Sequence, residues 1–167
     1  DLINAIYSED TKGNVFLSPA SVSTALAMTL NGAAGNTYEE MEKVLKFKGI
    51  HPMLVNSGFA YLVDMLNRSE TGIEMSLANS IWIREGFPVL DLFQKINSGS
   101  LTAAMENLDF SKSDAADKIK VWVRANTNGL IDSIVDDGID PATVMFLINT
   151  IGCSSLISIS ILINSFL

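Results

Sequence analysis

Residue types able to do chemistry are few in this chain, and their spacing does not assemble a reaction. Ser18 and Ser21 are hydroxyl nucleophiles in principle, but the one histidine, His51, lies between Ile50 and Pro52 with nothing to bring it beside them. His51 reads instead as an exposed or capping residue at the start of a helix. Cys153 is the single thiol, with no basic neighbour in sequence to favour its thiolate. One Cys and one His exclude a disulfide framework, a Cys-based zinc cluster and a multi-histidine metal site. Gly32-Ala33-Ala34-Gly35 lacks the lysine and the preceding strand of a phosphate loop. Glu39, Glu40 and Glu42 sit near a helix start, where the helix dipole accounts for them better than acid–base work does. Asp132, Asp136, Asp137 and Asp140 lack the alternating spacing and terminal glutamate of a calcium loop and read as a solvated loop. No enzyme activity, cofactor or metal is expected.

The elements that must carry these residues can be placed from pattern. The 167 residues are 48% hydrophobic and 18% charged, with net charge −8, which describes an acidic chain with ample surface to bury. That acidity argues against nucleic-acid binding, which needs a positive face. Residues 1–7 read as the end of an amphipathic helix, with no signal-peptide pattern, and Lys12-Gly13-Asn14 as a turn before a strand at Val15–Leu17. Ser18-Pro19 fits an N-cap followed by proline in the first helical position, opening a small-residue helix that ends near Asn31-Gly32. Thr37 and Glu40 fit a capping box for a short helix to about Leu45. A helix over about Pro52–Leu66 has Leu54, Phe59, Leu62, Val63 and Leu66 as its apolar stripe. Met75–Arg84 reads as a half-buried strand, Val89–Ser98 as a helix and Ala103–Asp109 as a strand. Ser113-Asp114 caps a helix over about Ala115–Leu130, with Ile119, Trp122, Val123 and Leu130 as its stripe, and Thr143–Ile151 is a strongly apolar strand. Residues 141–167 carry no charge. This run is long enough for a membrane span but is diluted by Asn149, Gly152 and several serines and lacks flanking lysine or arginine.

Several of these segments, taken in order, resemble the serpin family. Asn14-Val15-Phe16-Leu17-Ser18-Pro19, Ser21, Ala25-Leu26-Ala27-Met28, Asn31-Gly32-Ala33 and Thr37 are similar to its N-terminal strand and helix. Leu77-Ala78-Asn79-Ser80-Ile81-Trp82-Ile83 resembles the second strand of its main sheet. Asn126-Thr127-Asn128-Gly129-Leu130-Ile131 resembles the end of the helix lying across that sheet, and Val144–Asn149 the third strand.

The resemblance implies an α+β fold, here the N-terminal part of a serpin domain and incomplete. Residues 1–151 would belong to that domain and residues 152–167 to a divergent apolar tail. It implies a suicide-substrate inhibitor of serine, or sometimes cysteine, proteases, whose cleaved reactive loop inserts into the main sheet beside the third strand. Ser18, Ser21 and Asn149 match positions beneath the gap that opens, where small polar groups can exchange hydrogen bonds as strands separate. Asn14, Phe16, Pro19, Gly32, Asn79, Thr127 and Gly129 match the fold's signature. The reactive loop and its hinge have no counterpart here, so this chain is not expected to inhibit alone. Leu130 stands where the family usually has lysine, and the sequence after Ile151 departs from the family, including loss of a tryptophan. That tail reads as the product of truncation, alternative splicing or a shifted reading frame, with a membrane segment as the competing reading. A non-inhibitory serpin-fold binding module is the alternative function. Residues 51–67 contain no lysine or arginine, which argues against a heparin-type cofactor. The family implies an extracellular, secreted protein, with a cytoplasmic branch as alternative. With its neighbour missing, the 143–151 strand is expected to leave an open edge that promotes self-association.

Overall fold

The computed structural model describes Ser8, residues 18–68 and 75–153, and residues 157–165 as backbone. The helix expected at 1–7, the turn and strand at 12–17, and the signature positions Asn14 and Phe16 lie outside the described residues. The elements are α1 (Pro19–Leu30), α2 (Gly35–Val44), α3 (Pro52–Asn67), β1 (Met75–Arg84), α4 (Asp91–Ser100), β2 (Ala104–Leu108), α5 (Ala115–Asn126), β3 (Met145–Cys153) and β4 (Ile157–Ser165). The strands form one sheet in the order β2-β1-β3-β4. β1 pairs in parallel with β2 and antiparallel with β3, and β3 pairs antiparallel with β4.

Alternation along β1 and β3 divides the core into two layers. Ile81, Ile83 and Leu147 face α1, α3 and α4, packing with Ala25, Met28, Phe59 and Phe93. Trp82, Phe146 and Ile148 face α5 and the segment after it, packing with Ile119, Val123, Phe110 and Val135. β1 is therefore buried on both faces rather than half-buried: Ser80 and Trp82 are as enclosed as Leu77 and Ile81. The polar atoms on the α5 side satisfy each other, since the Trp82 Nε1–H donates to Ser80 Oγ at 2.9 Å.

Local chemistry sets the helix ends. Ser18 caps α1, its Oγ accepting from the Ser21 N–H at 3.2 Å, with Pro19 in the first turn. Thr37 and Glu40 do not form the expected capping box. Helix α2 starts three residues earlier, with Ala34 in place of Thr37 before its first residue: Gly35 adopts φ 54° and the Ala34 carbonyl accepts the first helical bond from Tyr38. Thr37 is thus already inside the helix, and Glu39, Glu40 and Glu42 lie beyond its first turn, out of reach of the dipole stabilisation expected for them. Asp114 precedes α5 in a helical conformation that gives no side-chain cap; its carboxylate meets Lys118 at 3.0 Å instead. That bond holds the Asp114 carboxyl below its ordinary range. Helix α4 runs two residues later than expected, with Leu90 as its cap and Leu101 fully buried behind its last turn. Leu54 is 65% exposed, whereas Asn56 takes the buried place beside Phe59 and Val63 on α3.

Helix α5 ends at Asn126, not Leu130. The chain turns through left-handed Asn128 (φ 51°) and Gly129 (φ 74°), and the Gly129 N–H closes back on the Arg124 carbonyl at 2.9 Å. Leu130 is consequently exposed rather than part of the stripe.

The open edge expected on the 143–151 strand is not present. β3 extends to Cys153, and residues 157–165 of the tail fold back beside it with a continuous register from Met145↔Ser165 to Cys153↔Ile157. A charge-free segment of alternating isoleucine and serine suits an extended strand, whereas a membrane helix needs continuous apolarity. Among the described residues, no helix is long and apolar enough to cross a membrane.

Candidate functional site beneath the central strands

The centre of the molecule is a polar seam between β1, β3 and α1. Asn79 and Asn149 are directly opposed in the β1–β3 register. They lie on the α1 face with Ile81 and Leu147, at 2% and 0% exposure. The Asn149 Nδ2–H donates to Asn79 Oδ1 at 2.7 Å, and the Asn79 Nδ2–H donates to the Leu101 carbonyl at 2.7 Å. The bond from the Arg84 N–H to the Val144 carbonyl makes that pair hydrogen-bonded. By alternation, 79/149 is a non-hydrogen-bonded pair, in which side chains approach most closely.

Two atoms in this region have no partner among the described residues: Asn149 Oδ1 and Ser21 Oγ, both fully buried. Ser21 lies on the inner side of α1, which packs on β3. Each orphaned atom costs on the order of 1–3 kcal/mol relative to a paired one. Ser21 keeps its backbone satisfied through Ser18, so the missing partner belongs to the hydroxyl alone. On the opposite face of β3, Thr150 Oγ1 reaches only to 3.5 Å from the Ala78 carbonyl.

The other expected positions hold the frame around the seam. A Cβ on Gly32 would lie 3.0 Å and 3.1 Å from Cε2 and Cδ2 of Phe93, so glycine lets α4 pack against the end of α1. Thr127 is 1% exposed and fastens the end of α5: its hydroxyl donates to the Val123 carbonyl at 2.8 Å and accepts from the Ile131 N–H at 3.2 Å. Gly129 supplies the left-handed turn described above. His51 is an exposed cap of α3, with Nδ1 accepting from the Met53 N–H at 3.2 Å.

The aspartates after α5 are not merely solvated. Asp132 pairs with Arg124 at 2.7 Å, Asp137 pairs with Lys120, and Asp140 Oδ1 accepts from the Ala142 N–H at 2.8 Å. They strap the connection to α5 and lead it into β3. The bond from the Lys120 ammonium to Asp137 holds the Asp137 carboxyl below its ordinary range and lifts the Lys120 ammonium above its own. Among the described residues, no group of His, Cys, Asp and Glu is placed to hold a metal.

A second polar cluster was not anticipated from sequence. Asn31, Asn56 and Asn97 join α1, α3 and α4. The Asn31 Nδ2–H group reaches Asn56 Oδ1 at 2.9 Å and Asn97 Oδ1 at 3.0 Å, and Asn56 returns a bond to Asn31 Oδ1 at 3.0 Å. The available signal was an asparagine on the apolar stripe of an amphipathic helix, which must find partners when buried.

Comparison with known proteins places this arrangement. Residues 1–154 match the family model described as Serpin (serine protease inhibitor). The chain belongs to the serpin family. It is 32% identical over 154 residues to leukocyte elastase inhibitor of Bos taurus, covering 90% of this chain and 40% of that protein. It is 32% identical over 151 residues to Serpin A12 of Rattus norvegicus, covering 90% and 36%. Among solved structures, the thermophilic serpin Tengpin in the latent state superposes with TM-score 0.77 at 37% identity, covering 85% of this chain and 38% of that one. Thyroxine-binding globulin complexed with a thyroxine–fluorescein conjugate superposes with TM-score 0.80 at 27% identity, covering 90% and 45%. The chain thus spans about two fifths of the curated relatives it matches, and its fold is the incomplete α+β serpin fold expected from sequence.

Proposed function

We propose that this chain is the N-terminal portion of a serpin-type serine protease inhibitor, residues 1–151 contributing to one serpin domain, and that the 167 residues do not inhibit by themselves. Its role is conformational, not catalytic. In the full-length protein the partner is a serine or cysteine protease, and Ser18, Ser21 and Asn149 serve the seam where the sheet opens. The observation that carries this reading is the pair of buried, unpartnered atoms, Ser21 Oγ and Asn149 Oδ1, on the α1 side of β3. A seam with spare hydrogen-bonding capacity suits a sheet that exchanges partners, because a rearranged strand can satisfy atoms that the present arrangement leaves unpaired. Extracellular action belongs to the same proposal, with a cytoplasmic site as its alternative.

One feature favours a second reading, a non-inhibitory serpin-fold binding module: the edge of β3 is occupied by β4 along its whole length. Transcript sequencing across the codon for Ile151 separates the readings. The inhibitor reading expects a transcript that continues into the rest of a serpin, with small residues at the reactive-loop hinge. Bulky or charged hinge residues favour the binding module. Transcripts that all end at the codon for Leu167 contradict the inhibitor reading.

A further inference from the structure

Strand β4 lies outside the part of the chain that the family accounts for. The family match stops at residue 154, and β4 spans Ile157–Ser165. Even so, all nine residues of β3 have a partner in β4, without a bulge. β3 is deeply enclosed: Leu147, Ile148, Asn149 and Thr150 are each at most 2% exposed.

The ladder shows what β4 closes. The hydrogen-bonded Arg84–Val144 pair sets the alternation. The backbone groups of Phe146, Ile148 and Thr150 therefore point toward β1, and those of Met145, Leu147, Asn149 and Ile151 point away from it. The outward set stands opposite Ser165, Ile163, Ile161 and Ile159. Without β4 this row of donors and acceptors would be bare, on a strand with no charge and no proline to discourage strand addition. The register also sets Ile159, Ile161 and Ile163 on the same face of the sheet as Leu147 and Ile151, and Ser158 and Ser160 on the face of Gly152 and Thr150. α1 runs close to both strands.

We propose that residues 157–165 are a resident closing strand: they fill the strand-accepting edge of β3 from within the same chain, and when they are disabled that edge takes an extended peptide of the same sequence. The device occupies the edge of β3 at which the inhibitor reading places loop insertion, and its test needs no protease.

Hydrogen exchange on the unmodified chain is the first test. The amides of Met145, Leu147, Asn149 and Ile151 should exchange roughly a hundredfold or more slowly than unprotected amides, alongside Phe146, Ile148 and Thr150. Fast exchange of the first set with protection of the second overturns the proposal. The second test uses a fluorescein-labelled peptide of residues 157–165 with lysines added at both ends for solubility. Ile161→Pro/Ile163→Pro removes two N–H groups aimed at β3, whereas Ser160→Pro removes one aimed away from it. The double variant should bind the peptide at least tenfold more tightly than the unmodified chain or S160P. Equal binding by all three, or none by a folded double variant, overturns the proposal. If the double variant does not fold, the exchange pattern of the unmodified chain decides.

Discussion

Asn79 and Asn149 share one hydrogen bond but should not be equally costly to remove. Asn79→Ala deletes the acceptor of the Asn149 Nδ2–H and the donor to the Leu101 carbonyl. Leu101 keeps a second donor in the Thr102 hydroxyl at 2.9 Å, so its carbonyl is not stranded. Asn149 is fully buried, its Oδ1 is already unpaired, and the substitution strands its Nδ2 as well. Asn149→Ala instead deletes one orphan, Asn149 Oδ1, and creates another, Asn79 Oδ1, so the number of stranded atoms does not change. The cavity terms nearly cancel because both changes remove the same atoms. What differs is one additional hydrogen bond lost, worth about 1 kcal/mol, and one additional stranded group, worth about 1–3 kcal/mol. Asn79→Ala should therefore destabilise by about 2–4 kcal/mol more than Asn149→Ala. Urea unfolding followed by tryptophan fluorescence measures this, with Trp82 on the neighbouring face of β1 as reporter and the double variant completing the cycle. Equal losses, or a larger loss for Asn149→Ala, would refute the reasoning about the orphaned oxygen.

Ser21→Ala removes a buried hydroxyl that has no partner, so stability should hold or rise by up to about 1 kcal/mol; a clear loss in the same urea assay would mean that the hydroxyl is paired in solution. Gly32→Ala pushes a methyl group against the Phe93 ring, and thermal unfolding should show a loss of about 1–3 kcal/mol that Phe93→Leu partly relieves. A gain from the stiffer backbone alone would contradict the contact. For the strap on α5, Asp137 is depressed in the folded chain, so its contribution is complete above the unfolded carboxylate value and fades as pH falls below ~4. Lys120 is raised, so its contribution is complete below the unfolded lysine value and fades as pH climbs above ~10.5. Amide exchange or limited proteolysis over residues 131–140 should show loosening at both extremes, and Asp137→Asn should remove the part of each arm that the Lys120–Asp137 pair supplies.

Element positions were legible wherever periodicity and caps agreed. Ser18-Pro19 announced α1, and the apolar runs at 75–84 and 143–151 announced β1 and β3. Failures occurred where a side chain had two competing uses. Thr37-Glu40 satisfies a capping pattern, but the backbone turned earlier at Gly35. Asp114 satisfies a cap in type, but Lys118 took its carboxylate. Met75–Arg84 read as half-buried because a strand sequence does not reveal that a helix covers its second face, where Ser80 and Trp82 lie. The seam was half legible: Ser21, Asn79 and Asn149 could be named, but their pairing needed the β1–β3 register, and the orphaned atoms needed the packing of α1. The pairing of β4 was invisible for a related reason. A charge-free apolar tail is ambiguous between membrane and sheet until a partner edge is known.

The chain has the fold of a serpin's N-terminal part, and we propose that it does not inhibit by itself. Incubating the purified chain with elastase-, trypsin- and cathepsin-type proteases, followed by denaturing electrophoresis, tests it most directly. We expect no detergent-stable covalent complex and undiminished protease activity. A stable complex with any of the three, at the summed mass of protease and chain, would contradict it.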